Sequence, residues 1–294
     1  MKSKAHIFLE SAFYTLLTLP KLIILSKRYA AKRIKDYKNN ANKIVILGNG
    51  PSLKATITEI LSMKQNYETL CVNHFAESEY YKQIKPNFYV LNAPEMWMED
   101  VESFHREKGQ KLFKSIADNT SWSLQLFIPA QAKKVRGWQK VLSENKFITI
   151  NYFNTTPLEG FEKFIFKMME NGWGMPRPHN VLIPSIILSM RMGFKKIYLA
   201  GADHSWLKEI FVSEDNEVFL TQKHFYDEKK AEARTMDKLG KGSRKLHEVL
   251  EKFTYAFSCY FLLNRYAKKK QISIINLTEG SFIDAFDRAK HIEA

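Results

Sequence analysis

Cysteine is scarce in this chain: Cys71 and Cys259 are the two among 294 residues, and they lie far apart. Neither a disulfide framework nor a cysteine-based zinc site can be built from them, so a reducing cytosol is the default setting. Acidic residues are in the minority, with 31 Asp and Glu against 45 Lys and Arg and a formal net charge of +14. That balance favours anionic partners: nucleic acid, an acidic membrane surface or a phosphorylated substrate. Internal repeats and low-complexity tracts are absent. So are the Gly-x-Gly-x-x-Gly fingerprint and the Walker A loop, since Leu occupies position 53 and no Gly-Lys-Ser/Thr follows. An aromatic RNP pattern is also missing, which leaves an RNA-binding reading resting on charge alone.

What is present suits one large α/β domain, alone or with a lid: 45% hydrophobic and 26% charged residues, enough for a sizeable core. Two basic clusters stand out. One holds Lys27, Arg28, Lys32, Arg33, Lys35 and Lys38; the other runs from Lys223 through Lys229, Lys230, Arg234, Lys238, Lys241 and Arg244 to Lys245. Ahead of the first lies an apolar stretch, residues 7–25, interrupted by Pro20-Lys21. A bilayer span needs about 20 mostly apolar residues, which this stretch barely reaches. No small-residue cleavage site follows it. The expectation is an amphipathic interfacial helix followed by a polybasic helix, residues 1–40, that holds the chain to an anionic membrane surface. A helix packed on the protein's own core and a true span are the alternatives.

Residues 41–294 read as the α/β domain. Strands are expected at 43–47, 69–72, 87–91, 124–128, 147–150, 196–200 and 272–277, and helices at 53–63, 181–192 and 244–269. Alternation of this kind predicts a Rossmann-like, mostly parallel sheet with helices on both faces. Residues 204–242 interrupt it with a mixed polar and aromatic composition that suits a lid-like segment.

Ligands of open α/β sheets bind at the carboxyl ends of the strands. Three of the predicted strands end in small or amide residues: Gly48-Asn49-Gly50, Asn73 and Asn92. Glycines at 48 and 50 suit a close approach of backbone to phosphate. Asn49 is a potential donor, and the helix opened by Pro51 and Ser52 offers its N-terminus to an anion. Asp203 ends another strand. No Asp-x-Asp pair occurs, and Glu99-Asp100 and Glu214-Asp215 read as solvated, which points away from a metal-held phosphate.

The strings Gly48-Asn49-Gly50-Pro51-Ser52-Leu53-Lys54, Cys71-Val72-Asn73-His74-Phe75, Tyr89-Val90-Leu91-Asn92 and Gly193 to Asp203 resemble the bacterial CMP-sialic-acid-dependent sialyltransferases of glycosyltransferase family 42. The loop is also similar to that of the 6-hydroxymethylpterin pyrophosphokinase-like family. The first resemblance implies an inverting, metal-independent transfer of an acidic sugar, sialic-acid-like or Kdo-like, from a CMP-activated donor to a surface glycan or lipid-linked acceptor. It needs no cofactor beyond the CMP-sugar. Around the nucleotide it places Asn49, Gly50, Asn73 and Asn92; Gly48, Pro51, Ser52 and Asp203, beside them in the loop and at a strand end, complete the expected nucleotide-binding set. The chain departs from that family at Asn180-Val181-Leu182, where the family has Thr-Ser-Gly, and at Ser205-Trp206, where it has tyrosines. It also lacks the Gly-His-Ser setting of the catalytic histidine.

The base must therefore come from the remaining histidines, with His224 first and His204 second; an imidazole can take a proton from a sugar hydroxyl near neutral pH. Lys223, Tyr226 and Arg234 are candidates to neutralise the leaving phosphate. His179, in a proline-rich loop, and His247, inside a helix, read as structural, and His74 as support for the nucleotide site. The expected partners are a CMP-sugar, a glycan or glycolipid acceptor and an anionic membrane at its cytoplasmic face. No nucleic acid is expected, and a homo-oligomer is compatible with this reading. The alternatives are a pterin pyrophosphokinase-like enzyme using ATP and Mg²⁺, and a non-catalytic nucleotide- or RNA-binding protein.

Overall fold

The computed structural model describes residues 3–31, 34, 42–221, 223–226, 233–236 and 242–293. In chain order the elements are α1 (Lys4–Leu25), β1 (Lys43–Leu47), α2 (Leu53–Ser62), β2 (Glu68–Val72), α3 (Tyr80–Ile84), β3 (Phe88–Val90), α4 (Ser103–Asn119), β4 (Leu124–Pro129), α5 (Gly137–Ser143), β5 (Ile148–Phe153), α6 (Glu162–Glu170), α7 (Leu182–Arg191), β6 (Lys196–Ala200), β7 (Ile210–Val212), β8 (Val218–Thr221), β9 (Ala233–Thr235), α8 (Leu246–Lys269), β10 (Ser273–Asn276) and β11 (Asp287–Arg288).

Alternation along β1 sorts its side chains. Ile44 and Ile46 face a layer made by α6, α7 and α8. Val45 and Leu47 face a layer made by α2, α3, α4 and α5. Both faces of the strand are dry, as expected for a parallel sheet covered on each side. Among the described residues this sheet has eight strands in the order β11-β10-β6-β1-β2-β3-β4-β5, every pair parallel. The fold is therefore the Rossmann-like α/β architecture that the strand pattern predicts. The chain leaves β1 for β2 on one side, and β6 fills the other, so the strand order reverses at β1 and a crevice opens above its carboxyl end.

Between β6 and α8 the chain forms a small antiparallel sheet, β7-β8-β9. Its Val218 and Leu220 pack on Val249 and Phe253 of α8. Residues 222, 227–232 and 237–241, and with them Lys229, Lys230, Lys238 and Lys241 of the second basic cluster, lie outside the described residues.

Helix α1 runs without a break through Pro20, contrary to the interruption expected there. Side-chain hydrogen bonds secure that part of the helix. Thr18 Oγ1 donates to Glu159 O at 3.1 Å, and Thr15 Oγ1 accepts from Phe161 N at 2.9 Å. Lys21 Nζ meets Glu159 Oε2 at 2.8 Å, and Lys27 N donates to Asn154 Oδ1 at 2.8 Å. Within α1 only Thr18 and Leu22 are buried; Phe8, Phe13, Leu16 and Ile24 are exposed, and Ile23 is 83% exposed. By length and composition α1 is apolar enough to cross a membrane. After it, Arg28–Ala30 form a single 3-10 turn rather than the start of a polybasic α-helix; Lys32, Arg33, Lys35 and Lys38 lie outside the described residues.

Candidate functional site

Above β1 lies a cavity of about 1080 Å³. The β1–α2 loop, Asn73, Asn92, the 177–182 segment, the end of β6, the small sheet and the first half of α8 line it.

The β1–α2 loop is braced from within. The carboxylate of Asp203 accepts Ser52 N at 3.2 Å and Ser52 Oγ at 2.8 Å. Leu53 N and Ala55 N each bond to a carbonyl three residues back, Gly50 O and Ser52 O, both at 3.1 Å. Ser52 thus donates to Asp203 instead of capping α2 with its own hydroxyl. The helix N-terminus expected to receive a phosphate already holds a carboxylate, and a second anion there would meet like charge. The glycines answer to the same crowding. A Cβ on Gly48 would come within 2.4 Å of Gly201 O, and one on Gly50 within 1.8 Å of Asp203 Oδ2. Both glycines are needed where β1 and β6 converge, and both also line the cavity.

Among the described residues, each of the three strand-end asparagines lining the cavity has a buried side-chain oxygen without a partner. Asn49 Nδ2 donates to Val72 O at 3.1 Å, and its Oδ1 has no partner among the described residues. One of the two Nδ2 hydrogens of Asn49 is used there, and the second remains for the donor role expected of it. Asn92 Nδ2 lies 3.4 Å from Pro178 O, and its Oδ1 is likewise unpartnered, as is Asn73 Oδ1. Asn73 holds a left-handed backbone, φ +47°, which asparagine tolerates better than most residues. Three buried acceptors along the ends of β1, β2 and β3 call for a ligand that donates hydrogen bonds.

The histidines divide clearly. His204 sits in a left-handed conformation, φ +51°, and is 8% exposed. Its Nε2 lies 2.6 Å from Tyr260 Oη, and Tyr260 in turn donates to Asn180 Oδ1 at 3.0 Å. Asn180 Oδ1 also accepts Leu182 N at 2.9 Å, which fixes it as the oxygen. Tyr260 has one proton and gives it to Asn180, so His204 must donate its own Nε2 proton to Tyr260. Burial lowers its pKa to about 3. His204 is therefore a neutral brace between β6, α8 and Asn180, and its Nε2 carries no free lone pair for a substrate proton.

His224 lines the cavity and is half-buried, with its ring stacked on Tyr226 at 5.2 Å. Its neighbour Phe225 anchors it: Phe225 N donates to Asn49 O at 3.0 Å, and the ring packs on Phe75 at 5.2 Å. Lys223 also lines the cavity, paired with Glu209 at 3.2 Å. Arg234 is not brought there; its guanidinium lies over the Phe104 ring of α4 at 4.9 Å. His74 turns to Glu77 at 2.5 Å, away from the lining.

No family model matches the chain, and no curated protein matches it. Among solved structures it is similar to the MAf glycosyltransferase from Magnetospirillum magneticum AMB-1, at 11% identity and a TM-score of 0.50. The match covers 95% of this chain and 38% of that protein, so the chain spans well under half its length. The likeness is one of fold.

Sequence reasoning missed the opposite wall. His179, expected to be structural, lines the cavity, has a buried Nε2 without a partner among the described residues, and stacks on Tyr255 at 5.4 Å, with 8° between the rings. Burial, then Lys252, Arg177 and Arg244, lower its pKa to about 4. Lys252 is lowered too, first by burial and then by Arg244. No local motif could have signalled this group, because its members come from the loop before α7, the approach to α8 and α8 itself.

Proposed function

We propose that the protein is a glycosyltransferase that transfers an acidic sugar from a CMP-activated donor to a glycan or lipid-linked acceptor. The observation that carries this reading is the row of unpartnered oxygens on Asn49, Asn73 and Asn92 at the crevice where the strand order reverses. A nucleoside offers such a row its ribose hydroxyls and, in cytosine, the N4 amine; uracil presents an acceptor at that edge and would face three acceptors with a fourth. The name of the similarly folded protein, a glycosyltransferase, agrees with the class of reaction.

In this reading the acceptor hydroxyl attacks the anomeric carbon from the face opposite the nucleotide, and the bond from that carbon to the CMP phosphate oxygen breaks. CMP leaves with the bonding pair, and the hydroxyl proton passes to His224, whose place at the cavity edge is set by Phe225. The exposed apolar helix α1 suits work at a membrane surface, where a lipid-linked acceptor is presented.

The test is a thermal-shift panel of cytidine, CMP, UMP, GMP and ATP, each with and without Mg²⁺. Binding to the folded state raises the melting temperature by mass action. A rise with CMP that needs no Mg²⁺ and exceeds that with UMP is expected. A rise confined to Mg²⁺-ATP would replace this reading with phosphotransfer.

A further inference from the structure

We infer that Arg177, Arg244 and Lys252, with the side-chain amide of Asn180, form an oxyanion-binding wall that holds the phosphate of the bound nucleotide on the α8 side of the cavity. This inference rests on the nucleotide reading above.

Two buried donors on this wall, Arg244 Nε and Asn180 Nδ2, have no partner among the described residues. Asn180 cannot turn its oxygen inward instead, because that atom already accepts Leu182 N and Tyr260 Oη. Buried donors without partners are rare in folded proteins and mark the place of a missing acceptor. All three cations line the same cavity, and each of the other two lowers the pKa of His179 alongside Lys252. Carboxylates also line the cavity, and most have hydrogen-bond or ion-pair partners of their own. Asp203 caps α2, Glu209 pairs with Lys223, Glu248 accepts Lys245 N at 2.8 Å, and Glu251 accepts Tyr255 Oη at 3.2 Å. Glu95 is the acid whose charge reaches Lys252. An incoming oxyanion would satisfy the two donors and relieve the repulsion among the cations together.

The strand-end side of the cavity is less suited to this. There the asparagine oxygens and the Asp203 carboxylate would repel a phosphate. The polarity of the site is thus the reverse of a phosphate-binding β1–α2 loop: nucleoside toward the strand ends, phosphate toward α8. Arg supplies directional donors and Lys a mobile point charge, a pairing suited to a tetrahedral anion.

The experiment is calorimetric titration of the full chain with CMP and with cytidine, for the wild type, Arg244→Gln, Lys252→Gln and Lys252→Arg, with the melting temperature of each as a check on folding. Loss of one charged hydrogen bond should weaken CMP about ten- to a hundredfold in the two Gln variants and leave cytidine unchanged. Lys252→Arg should keep most of the CMP affinity. An unchanged ratio of CMP to cytidine affinity in both folded Gln variants overturns the inference and leaves the nucleotide reading standing. Weaker binding of free N-acetylneuraminate with CMP untouched overturns it too, by moving the oxyanion to the sugar carboxylate. If the wild type binds neither CMP nor cytidine, the nucleotide reading and this inference fail together.

Discussion

Gly50 offers a sharp test of what the β1–α2 loop is for. In Gly50→Ala the new Cβ would lie 1.8 Å from Asp203 Oδ2 and 2.7 Å from both Asp203 Cγ and Gly201 O. The carbonyl belongs to the β6 end and is held by its own bond from Gly50 N at 2.9 Å, so the carboxylate is what must yield. Moving it breaks its bonds to Ser52 N and Ser52 Oγ. Loss of a helix cap costs about 0.5–2 kcal/mol, and overpacking adds about 1–3 kcal/mol. Gly50→Ala should therefore destabilise the protein by roughly 2–4 kcal/mol, a large share of the usual 5–15 kcal/mol. Asp203→Ala alone should cost about 1–2 kcal/mol through the lost cap. In that background the closest clash is gone, so the cost of Gly50→Ala should shrink by about 1 kcal/mol or more, a coupling readable in a double-mutant cycle. The assay is urea unfolding of the four proteins followed by circular dichroism. Strictly additive costs, or a Gly50→Ala protein as stable as wild type, would refute the claim that the glycine serves Asp203.

Three further outcomes are expected. His204 has its pKa lowered from 6.5 to about 3, so its contribution to stability is fully present above pH 6.5 and is lost as pH falls toward 3. At pH 5 the loss is roughly 2 kcal/mol, and His204→Gln should flatten the stability profile between pH 6.5 and 3; an unchanged profile would show that the ring is not held neutral. With saturating donor, His224→Ala should lower turnover by about 10²–10⁴-fold with donor affinity nearly unchanged, and turnover within a few-fold of wild type would remove it as the base. The wild-type chain should float with anionic vesicles, whereas Leu16→Glu combined with Ile23→Glu, at positions 66% and 83% exposed, should not; equal flotation would discount α1 as the contact.

Much of the architecture is legible in the sequence because the strands of a doubly covered parallel sheet are short, continuous apolar runs. Lys43–Leu47 and Lys196–Ala200 fall where their composition puts them. The small antiparallel sheet is not legible. Ile210–Val212 and Ala233–Thr235 are three residues each, partly exposed, and carry no period of their own. Helix α1 shows its apolar character plainly, but its attachment depends on Thr15, Thr18 and Ser26, hydroxyls that look incidental in a hydrophobic run. At the site, the positions of Asn49, Asn73 and Asn92 are readable from the strand ends, yet which atom each presents is decided by contacts such as Val72 O and Pro178 O. Asp203 lines the cavity from a strand end, as its position suggests, but its bond to Ser52, 151 residues away in sequence, is a tertiary contact that no local pattern shows.

The position of β1 between β2 and β6 also bears on how the molecule comes into being on the ribosome. Gly48 N bonds to Ala200 O, and Gly50 N to Gly201 O, so half of the crevice floor is supplied by a segment synthesised long after the other half. Until residues 196–203 emerge, β1 has one bare edge and Asp203 is not there to hold α2. Pairing at such sequence distance is slow, and an unpaired apolar strand invites association with other chains. Nascent fragments ending before β6 should therefore resemble a sheet with a missing plank, dependent on chaperones and free of ligand-binding capacity, and the site would come into existence in a single late step.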